Sequence, residues 1–262
     1  MAFGLIIIGD EILSGKRQDK HFAKVVELLG ARGLQLAWAR YLGDDRARLV
    51  SALRESFASG DLVFSCGGIG ATPDDHTRQA AAAALASPLV LHPEAARLIA
   101  ERTAEMAARD GRGSADMSVP ENRQRLRMGE FPAGSEIIPN PYNRIPGFAI
   151  RDHWFVPGFP VMAWPMIEWV LDHRLAHLHH REPRGERSLL LFDVPESAAT
   201  PLMEAVEAEF PGCKVFSLPS VGEAGLRRHI ELGVKGPSDR LEAAWARLEA
   251  GARALGGEVR SA

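Results

Sequence analysis

The chain has 262 residues, of which 46% are apolar and 25% are charged, and its formal net charge is -3. These globular proportions exclude a disordered, collagen-like or fibrous protein, and the length predicts two packed units. A small net negative charge does not indicate the basic surface that is typical of nucleic-acid-binding proteins, so we expect no nucleic-acid partner.

The first half of the chain predicts three successive β–α units. Each unit combines a short apolar run with a following segment of apolar residues at helical spacing, and turn residues separate the two. The predicted strands are residues 3–8, 35–42 and 61–65, and the predicted helices are 22–29, 49–57 and 77–85. Asp44 or Asp45 can cap the second helix. Three such units imply right-handed crossovers and a mostly parallel sheet that is covered on both faces.

The next part of the chain predicts an extension of the same domain. A helix over 93–109 starts with proline in its first turn and ends before the Gly/Ser segment 111–114. Residues 131–160 are rich in proline and glycine and contain three short apolar stretches, which we expect to extend the sheet in a mixed sense. These stretches are residues 136–138, 148–150 and 154–156. A final amphipathic helix is predicted over 161–178.

The remaining residues predict a second, smaller unit. The segment HHREPRGER, residues 179–187, has the charge, proline and glycine that are typical of an exposed linker, so we place the domains at 1–181 and 182–262. The order of elements after it is βαββα, which predicts a small α+β fold with its helices on one face. The strands are residues 188–194, 214–218 and 228–234, and the helices are 197–209 and 238–255.

The cysteine content and the first strand indicate the cellular environment. Cys66 and Cys213 are the two cysteines, and they lie far apart without CxxC spacing, so neither a disulfide framework nor a zinc knuckle is predicted. The apolar run 3–8 is too short for a signal peptide or a membrane span. We therefore expect a cytoplasmic protein with no membrane partner.

Acidic residues follow glycine after each of the three predicted parallel strands. The segments are Gly9-Asp10-Glu11, Gly43-Asp44-Asp45 and Gly67 to Asp75. In open parallel sheets the ligand lies beyond the carboxyl ends of the strands, so these segments are expected to share one edge. Acid next to glycine is also common in turns, and for any single segment that interpretation is equally good.

The glycine loop of the third segment predicts a phosphate site. Gly67, Gly68 and Gly70 permit a tight turn that brings backbone N–H groups close to a phosphate, and the helix that begins near Thr77 directs its positive end at the same anion. No Gly-Lys-Ser/Thr follows, and the third glycine of the dinucleotide fingerprint is missing. The loop is therefore an anion cradle of another type.

Asp74 and Asp75 at the end of this loop are candidate metal ligands. They can also serve simply as helix caps, and for Asp74 this alternative is nearly as good. Several carboxylates beside a phosphate cradle would repel an anionic ligand unless a cation lay between them. Carboxylate and phosphate oxygens suit Mg²⁺, so Mg²⁺ or another divalent metal is the expected cofactor.

The other candidate groups have plainer interpretations. His173, His177, His179 and His180 are expected to be a solvated helix end rather than a metal site. His76 lies in the glycine loop with no assigned role. Cys66 is expected to be a buried strand residue rather than a nucleophile.

Four ordered motifs together resemble the MoaB/Mog-like superfamily, with the closest resemblance to the CinA-type N-terminal domain and the molybdopterin-binding-like domain of FAD synthases. The motifs are IGDEILSG at 8–15, LGDD at 42–45, GGIGATPDDHT at 67–77 and PGFP at 157–160. The resemblance covers roughly residues 3 to 178. The small unit that follows also resembles the domain after the catalytic domain in CinA-type proteins.

This resemblance implies a three-layer α/β/α domain that binds molybdopterin or a nucleotide diphosphate, and a homo-oligomer, dimer or trimer. It implies catalytic roles for Asp44 and Asp75, with Asp74 and Asp75 binding metal. Molybdopterin, ADP-ribose, FAD and an ATP-like nucleotide are the implied small-molecule partners. The implied ligand-binding residues are Gly9, Asp10, Glu11, Ser14, Gly67, Gly68, Gly70, Thr72, Thr77, Pro157, Gly158 and Pro160.

Two functional hypotheses follow from the motifs. In the first, the protein cleaves or forms a phosphoanhydride, either as an ADP-ribose or FAD-type pyrophosphatase or in molybdopterin adenylylation, and Lys16, Arg17 and Lys20 meet distal phosphates. In the second, it is a non-catalytic carrier or sensor of a pterin or nucleotide. The chain departs from CinA-type sequences at Asp19-Lys20-His21, which is closer to Mog proteins, and in lacking an acidic residue before Met162. A third, structural hypothesis treats the glycine loop as scaffold and the small C-terminal unit as an oligomerisation surface.

Overall fold

The computed structural model describes residues 2–110, 113–181, 183–220 and 227–261. The chain divides into two compact units, Met1–His179 and His180–Ala262. Two predicted features lie partly or wholly outside the described residues. They are the first half of the Gly/Ser segment at 111–114 and the domain boundary at 182.

The first unit alternates strands and helices along most of its length. Its strands are β1 (Phe3–Ile8), β2 (Leu36–Leu42), β3 (Leu62–Cys66), β4 (Leu89–Leu91), β5 (Glu130–Pro132), β6 (Glu136–Ile138), β7 (Gly147–Ile150) and β8 (His153–Val156). Its helices are α1 (Asp10–Leu13), α2 (His21–Gly30), α3 (Arg46–Ser59), α4 (Thr77–Ala84), α5 (Pro93–Asp110), α6 (Pro120–Leu126) and α7 (Pro160–His173).

A six-stranded sheet in the order β2-β1-β3-β8-β7-β6 forms the middle layer of this unit. β2, β1, β3 and β8 are parallel, whereas β7 runs antiparallel to both of its neighbours. The predicted mixed extension of a mostly parallel sheet is therefore confirmed. Side chains of β1 alternate between the two faces, with Leu5 and Ile7 in one apolar cluster and Ile6 and Ile8 in the other.

Helices cover the two faces of the sheet and place the cores between the layers. Val25 of α2 and Met166 of α7 pack in the cluster on one face, and Leu49 of α3 and Ala80 of α4 pack in the cluster on the other. Asp45, rather than Asp44, caps α3, because its carboxylate accepts the N–H of Arg48 at 2.8 Å. Asp44 is thereby left to the loop that follows β2.

Several elements differ from the sequence prediction. α1 replaces the predicted turn after β1, and β4 and β5 pair as a separate two-stranded sheet that was not predicted. The helix predicted over 161–178 ends at His173, and a separate 3₁₀ turn follows at Ala176–Leu178. Among the described residues no helix is both long and apolar enough to cross a membrane.

The second unit is a four-stranded antiparallel sheet in the order β10-β11-β9-β12. Its elements are β9 (Arg184–Phe192), α8 (Glu196–Glu209), β10 (Lys214–Pro219), β11 (His229–Pro237), α9 (Ser238–Ala254) and β12 (Glu258–Ser261). The segment predicted as a linker is strand from Arg184 onward, because β11 is long enough to pair with it up to Pro237. Leu191 and Leu232 of the sheet pack with Leu248 of α9 in one core.

Candidate functional site

The three acidic loops predicted from the sequence meet at one edge of the first unit's sheet. Because β1, β2 and β3 are parallel, their carboxyl ends lie side by side, and the N–H of Gly9 donates to the carbonyl of Leu42 at 3.0 Å. An open cleft of about 350 Å³ lies at this edge. Its lining residues are Ile8, Gly9, Glu11, Ile12, Arg17, Asp44, Gly67, Gly68, Ile69, Gly70, Ala71, Thr72, Asp74, Asp75, Pro157, Gly158 and Phe159.

The loop after β3 requires glycine at its first two positions. Gly67 has φ of 109° and Gly68 has φ of 69°, a backbone region that other residues rarely adopt. A Cβ atom on Gly67 would lie 2.2 Å from the carbonyl oxygen of Ile8. A Cβ on Gly68 would lie 2.2 Å from the hydroxyl of Thr77. The loop therefore packs directly on β1 and on the start of α4.

Thr77 fixes the glycine loop from behind. Its hydroxyl donates to the carbonyl of Gly67 at 3.0 Å, and its N–H donates to the carbonyl of Gly68 at 3.0 Å. The side chain is fully buried and does not line the cleft. Thr77, which the resemblance assigns to ligand binding, therefore holds the loop in place, because both of its donors are already used by loop carbonyls.

Two further side chains hold the other half of the loop, and both were missed from the sequence. The guanidinium of Arg78 donates to the carbonyl of Gly70 at 2.6 Å and to the carbonyl of Arg127, and the residue is only 2% exposed. The amide of Gln124 donates to the carbonyl of Ala71 at 2.7 Å. Burial lowers the pKa of Arg78 from its usual value.

The N–H groups of this loop are left for a ligand. Among the residues that the structure describes, the N–H groups of Gly68, Ile69, Gly70 and Ala71 have no protein acceptor. All four residues line the cleft. Since the loop carbonyls are held by side chains and by Thr77, successive N–H groups remain available to an anion, as in known anion-binding loops.

The loops after β1 and β2 are locked together by two aspartates. The N–H of Asp10 donates to a carboxylate oxygen of Asp44 at 2.8 Å, and the N–H of Asp44 donates to a carboxylate oxygen of Asp10 at 3.2 Å. Burial raises the pKa of Asp44, and the negative charges of Asp10, Asp74 and Glu11 raise it further. The edge therefore concentrates negative charge opposite the N–H groups.

Asp74 and Asp75 are placed differently within the glycine loop. One carboxylate oxygen of Asp75 accepts both the N–H of Thr72, at 2.9 Å, and its hydroxyl, at 2.5 Å. Asp74 is exposed and lines the cleft. Neither carboxylate caps α4, whose N-cap residue is His76 without a side-chain hydrogen bond. The alternative in which Asp74 is a simple helix cap is therefore not observed.

A divalent cation fits this arrangement only together with a phosphate. Within the described parts of the chain, no group of three or more His, Cys, Asp or Glu side chains is arranged to hold a metal ion. Mg²⁺ usually takes one or two protein carboxylates and completes its coordination with phosphate oxygens and water. Burial raises the pKa of Asp44 first, and the neighbouring carboxylates raise it further, so a cation here would offset the second of these effects. The donor set therefore suits a cation that is shared with the ligand.

The remaining predicted site residues divide into two groups. Pro157 and Gly158 line the cleft, and so does Arg17 among the predicted basic residues. Several others lie outside the lining of the cleft. They are exposed to solvent, begin α7, or line a second depression beside the loops after β1 and β2. These residues are Ser14, Lys16, Lys20, Pro160 and Asp10. Asp10 lines the second depression together with His76.

Two buried groups near the cleft complete its description. His21, which is 4% exposed, hydrogen-bonds through Nε2 to the carbonyl of Gly158 at 3.1 Å and so joins α2 to the loop after β8. No spacing rule could reveal this pair, since its members are 137 residues apart. Cys66 is 1% exposed, and burial raises the pKa of its thiol, so it is a strand residue rather than a nucleophile.

Comparisons with known proteins give a consistent result. The model of a family described as "Probable molybdopterin binding domain" matches residues 4–177. A CinA-like protein of Anaeromyxobacter sp. (strain Fw109-5) is 37% identical over 207 residues, covering 77% of this chain and 47% of the relative. Another CinA-like protein, from Syntrophotalea carbinolica, is 32% identical and covers 79% of this chain and 50% of the relative. The chain thus spans about half the length of the curated relatives it matches.

A solved structure shares the fold of the first unit. It is the CinA protein of Thermoplasma acidophilum, whose function is described as unknown. It is 25% identical, with a TM-score of 0.55, and the match covers 66% of this chain and 98% of that chain.

Proposed function

Because the chain belongs to the family described as a probable molybdopterin-binding domain, with CinA-like proteins among its relatives, we propose that it binds a pterin phosphate or a nucleotide diphosphate with a divalent metal. We propose further that it cleaves or forms a phosphoanhydride, as an ADP-ribose or FAD-type pyrophosphatase or in molybdopterin adenylylation. Both reactions require attack at phosphorus, so the same arrangement of groups serves either one.

The observation that carries this proposal is that one cleft presents both a surface that attracts anions and a surface that attracts cations. One surface presents the unused N–H groups of residues 68–71, which suit phosphate oxygens. The other presents the carboxylates of Asp44, Asp74 and Glu11, and burial together with neighbouring negative charges raises the pKa of Asp44. A phosphate alone would be repelled by the carboxylates, and a cation alone finds too few ligands, so the two surfaces are best explained by a phosphate that carries its metal.

Each residue has a role that follows from its position. The backbone of residues 68–71 would hold phosphate oxygens, and Arg17 at the cleft would meet a distal phosphate. Asp44 and Asp74 would hold the cation, while the carboxylate of Asp75 orients Thr72 and with it the end of the loop. A bound divalent cation would supply charge neutralisation at the phosphoanhydride during attack.

A turnover assay tests the proposal directly. The folded protein would be incubated with ADP-ribose, with FAD, and with ATP plus molybdopterin, each in the presence of Mg²⁺, Mn²⁺ or Co²⁺, and products would be separated by chromatography. We expect turnover of at least one substrate, dependent on the metal and reduced at least about 100-fold in Asp44→Asn, a loss typical of removing one stabilising group. Asp152→Asn, an exposed aspartate before β8, is the matched control and should retain activity. A folded wild-type protein that turns over none of them would refute the enzymatic function.

A second function is favoured by the hydrogen bonding of Asp75. Its carboxylate is already occupied by Thr72, which suits a loop that binds without chemistry. In that case the protein is a carrier or sensor of a pterin or nucleotide. Ligands would raise the melting temperature without any product, because a ligand that binds only the native state stabilises it. Asp75→Ala would then change affinity alone.

A cytoplasmic location and a dimeric or trimeric assembly also belong to this proposal. Both were expected from the sequence and the family resemblance. Light scattering coupled to gel filtration, on the purified chain, measures the assembly, and a monomer at all concentrations would contradict it. Fluorescence microscopy of a tagged chain in its own cell type tests the location.

A further inference from the structure

Phe159 is an exposed aromatic side chain at the wall of the cleft. It is 54% exposed, and among the described residues that line the cleft it is the only aromatic one. Its exposure contrasts with that of Phe148 and Phe155 in the same unit, which are fully buried and stack with ring centroids 4.4 Å apart. Solvent-facing placement of so large an apolar surface is unfavourable for the chain alone.

The backbone holds Phe159 at a fixed position beside the phosphate loop. Its carbonyl accepts the N–H groups of Met162 at 2.9 Å and Ala163 at 2.8 Å, which anchors it to the first turn of α7. The preceding carbonyl, of Gly158, is held by His21 at 3.1 Å. A Cβ on Gly158 would lie only 3.4 Å from the Cα of Gly67, so the two loops are in direct contact. The backbone that carries the ring is therefore held on both sides.

The ring of Phe159 stacks on no aromatic ring and no cation of the described residues. None of the ring–ring or cation–ring contacts found there involves Phe159. Ile8, Ile12 and Ile69 line the same cleft and extend its apolar surface. An aromatic face next to backbone N–H groups is the combination that binds the flat ring and the phosphate of one molecule.

We propose that Phe159 is the platform on which the aromatic ring of the ligand stacks while its phosphates are held by residues 68–71. The ligand class is then a phosphate or diphosphate ester of a flat aromatic heterocycle, rather than a phosphorylated sugar or inorganic pyrophosphate. The inference rests on the proposed function, since it names the part of the ligand that lies beside the phosphate. It makes Phe159 the residue that determines specificity for the ring.

Comparing two ligands distinguishes the contribution of the aromatic ring to affinity from that of the phosphates. ADP and inorganic pyrophosphate share a diphosphate, but only ADP carries an aromatic ring. Each would be titrated by calorimetry, with Mg²⁺ present, into the wild type and into Phe159→Ala, Phe159→Leu and Phe159→Trp. Val161→Ala is the matched control, because Val161 is 52% exposed two residues farther along and does not line the cleft.

Stacking predicts a selective loss of affinity. Phe159→Ala should weaken ADP by about 5- to 150-fold, the range for removing one base–aromatic stack. Phe159→Leu should also weaken ADP, Phe159→Trp should restore it, and pyrophosphate should bind all four proteins alike. Val161→Ala should change neither ligand.

The outcomes distinguish the inference from the function on which it rests. If the wild type binds neither ligand, the proposed function fails and the ring platform fails with it. If the wild type binds both ligands but Phe159→Ala changes both equally or neither, the ring platform alone is refuted. A change in oligomeric state in Phe159→Ala and Val161→Ala together, with unchanged ADP affinity, would refute it in favour of a protein interface.

Discussion

Two aspartates at opposite edges of the same sheet have opposite electrostatic environments. Asp61, just before β3, accepts the indole N–H of Trp38 at 2.9 Å and the N–H of Ala2 at 3.0 Å, and these hydrogen bonds lower its pKa. Asp44, just after β2, has its pKa raised by burial and by neighbouring carboxylates. At the amino edge, where the parallel strands begin, hydrogen bonds within the protein stabilise the carboxylate. At the carboxyl edge, where these strands end, the carboxylate is destabilised by its neighbours.

This difference indicates that the carboxyl edge is the one that binds a ligand. Unrelieved repulsion and unused N–H groups at one edge lower stability and have no structural benefit there. Local conflicts of this kind are expected at functional sites. Four predictions test whether the two edges differ as described, and they run from the largest expected effect to the smallest.

The largest effect is expected for Gly67→Ala, which removes the backbone freedom on which the carboxyl edge depends. The new Cβ would meet the carbonyl oxygen of Ile8 at 2.2 Å, and φ is 109°. We expect the free energy of unfolding to fall by about 2 to 5 kcal/mol, from backbone strain and overpacking. Affinity for pyrophosphate should fall at least about 100-fold, since a cradle of aligned N–H groups is lost.

Urea denaturation and calorimetry measure these two losses. Gly60→Ala is the control, because φ at Gly60 is 73° but a Cβ there meets no atom within 4 Å. It should cost only about 1 to 2 kcal/mol and leave binding intact. Equal losses for the two variants would show that the close packing of Gly67 on β1 has no special role.

The second prediction concerns Arg78, which holds the glycine loop from below. Arg78→Met removes the donors to the carbonyls of Gly70 and Arg127 in a buried position. We expect a loss of about 2 to 4 kcal/mol in the free energy of unfolding, since buried acceptors are left without partners. Arg97→Met removes an exposed guanidinium that pairs with Glu94 and Glu101, and it should cost much less stability, because exposed ion pairs contribute little. Similar losses in both would contradict the role of Arg78.

The sequence predicts the first unit well where local signals and packing agree. β1 is predicted with its observed bounds, because a run of apolar residues ends at Gly9, and α4 begins at Thr77 as expected from its alanine-rich sequence. α6 was missed, since its sequence PENRQRL has no apolar periodicity. β4 and β12 were missed as well, because strands of three and four residues depend on their partners for stability.

The candidate site is predictable in part, for a topological reason. Parallel strands bring their carboxyl ends together, so Gly9, Asp44 and Gly67 could be placed at one edge without a structure. Contacts such as Arg78 with Arg127 and His21 with Gly158 connect distant segments and leave no local pattern. The buried position of Thr77 also depends on the packing of the loop rather than on its motif.

The third prediction tests the amino edge by pH. His153 is 2% exposed, its Nε2 and the hydroxyl of Ser56 lie 2.7 Å apart, and burial and Arg151 lower its pKa from 6.5 to about 4. A lowered pKa means that the native state favours the neutral ring, so this stability is present above pH 6.5 and is lost as the pH falls toward 4. By pH 5 the loss should be about 2 kcal/mol relative to pH 7.

Urea denaturation at several pH values measures this loss. Other carboxylates also titrate in this range, so the comparison is with His153→Gln, which keeps a hydrogen-bonding group for Ser56 but cannot be protonated. The variant should lose less stability between pH 7 and pH 5 than the wild type does. Parallel pH profiles would show that His153 is not held neutral.

The smallest effect compares Asp61→Asn with Asp44→Asn, which make the same chemical change at the two edges. Asp61→Asn should lower the melting temperature by a few degrees, because an amide has one acceptor oxygen for the donors on Trp38 and Ala2. Asp44→Asn should leave it unchanged or raise it at pH 7, since a carboxylate with a raised pKa destabilises the native state once the pH exceeds that pKa. Added Mg²⁺ and pyrophosphate should stabilise Asp61→Asn as much as the wild type but Asp44→Asn less, because one charge that attracts the cation is gone. Thermal melts of the wild type and the two variants, with and without Mg²⁺ and pyrophosphate, measure these differences. If Asp44→Asn melts below the wild type and is stabilised as much by the two additives, the two edges do not differ as proposed.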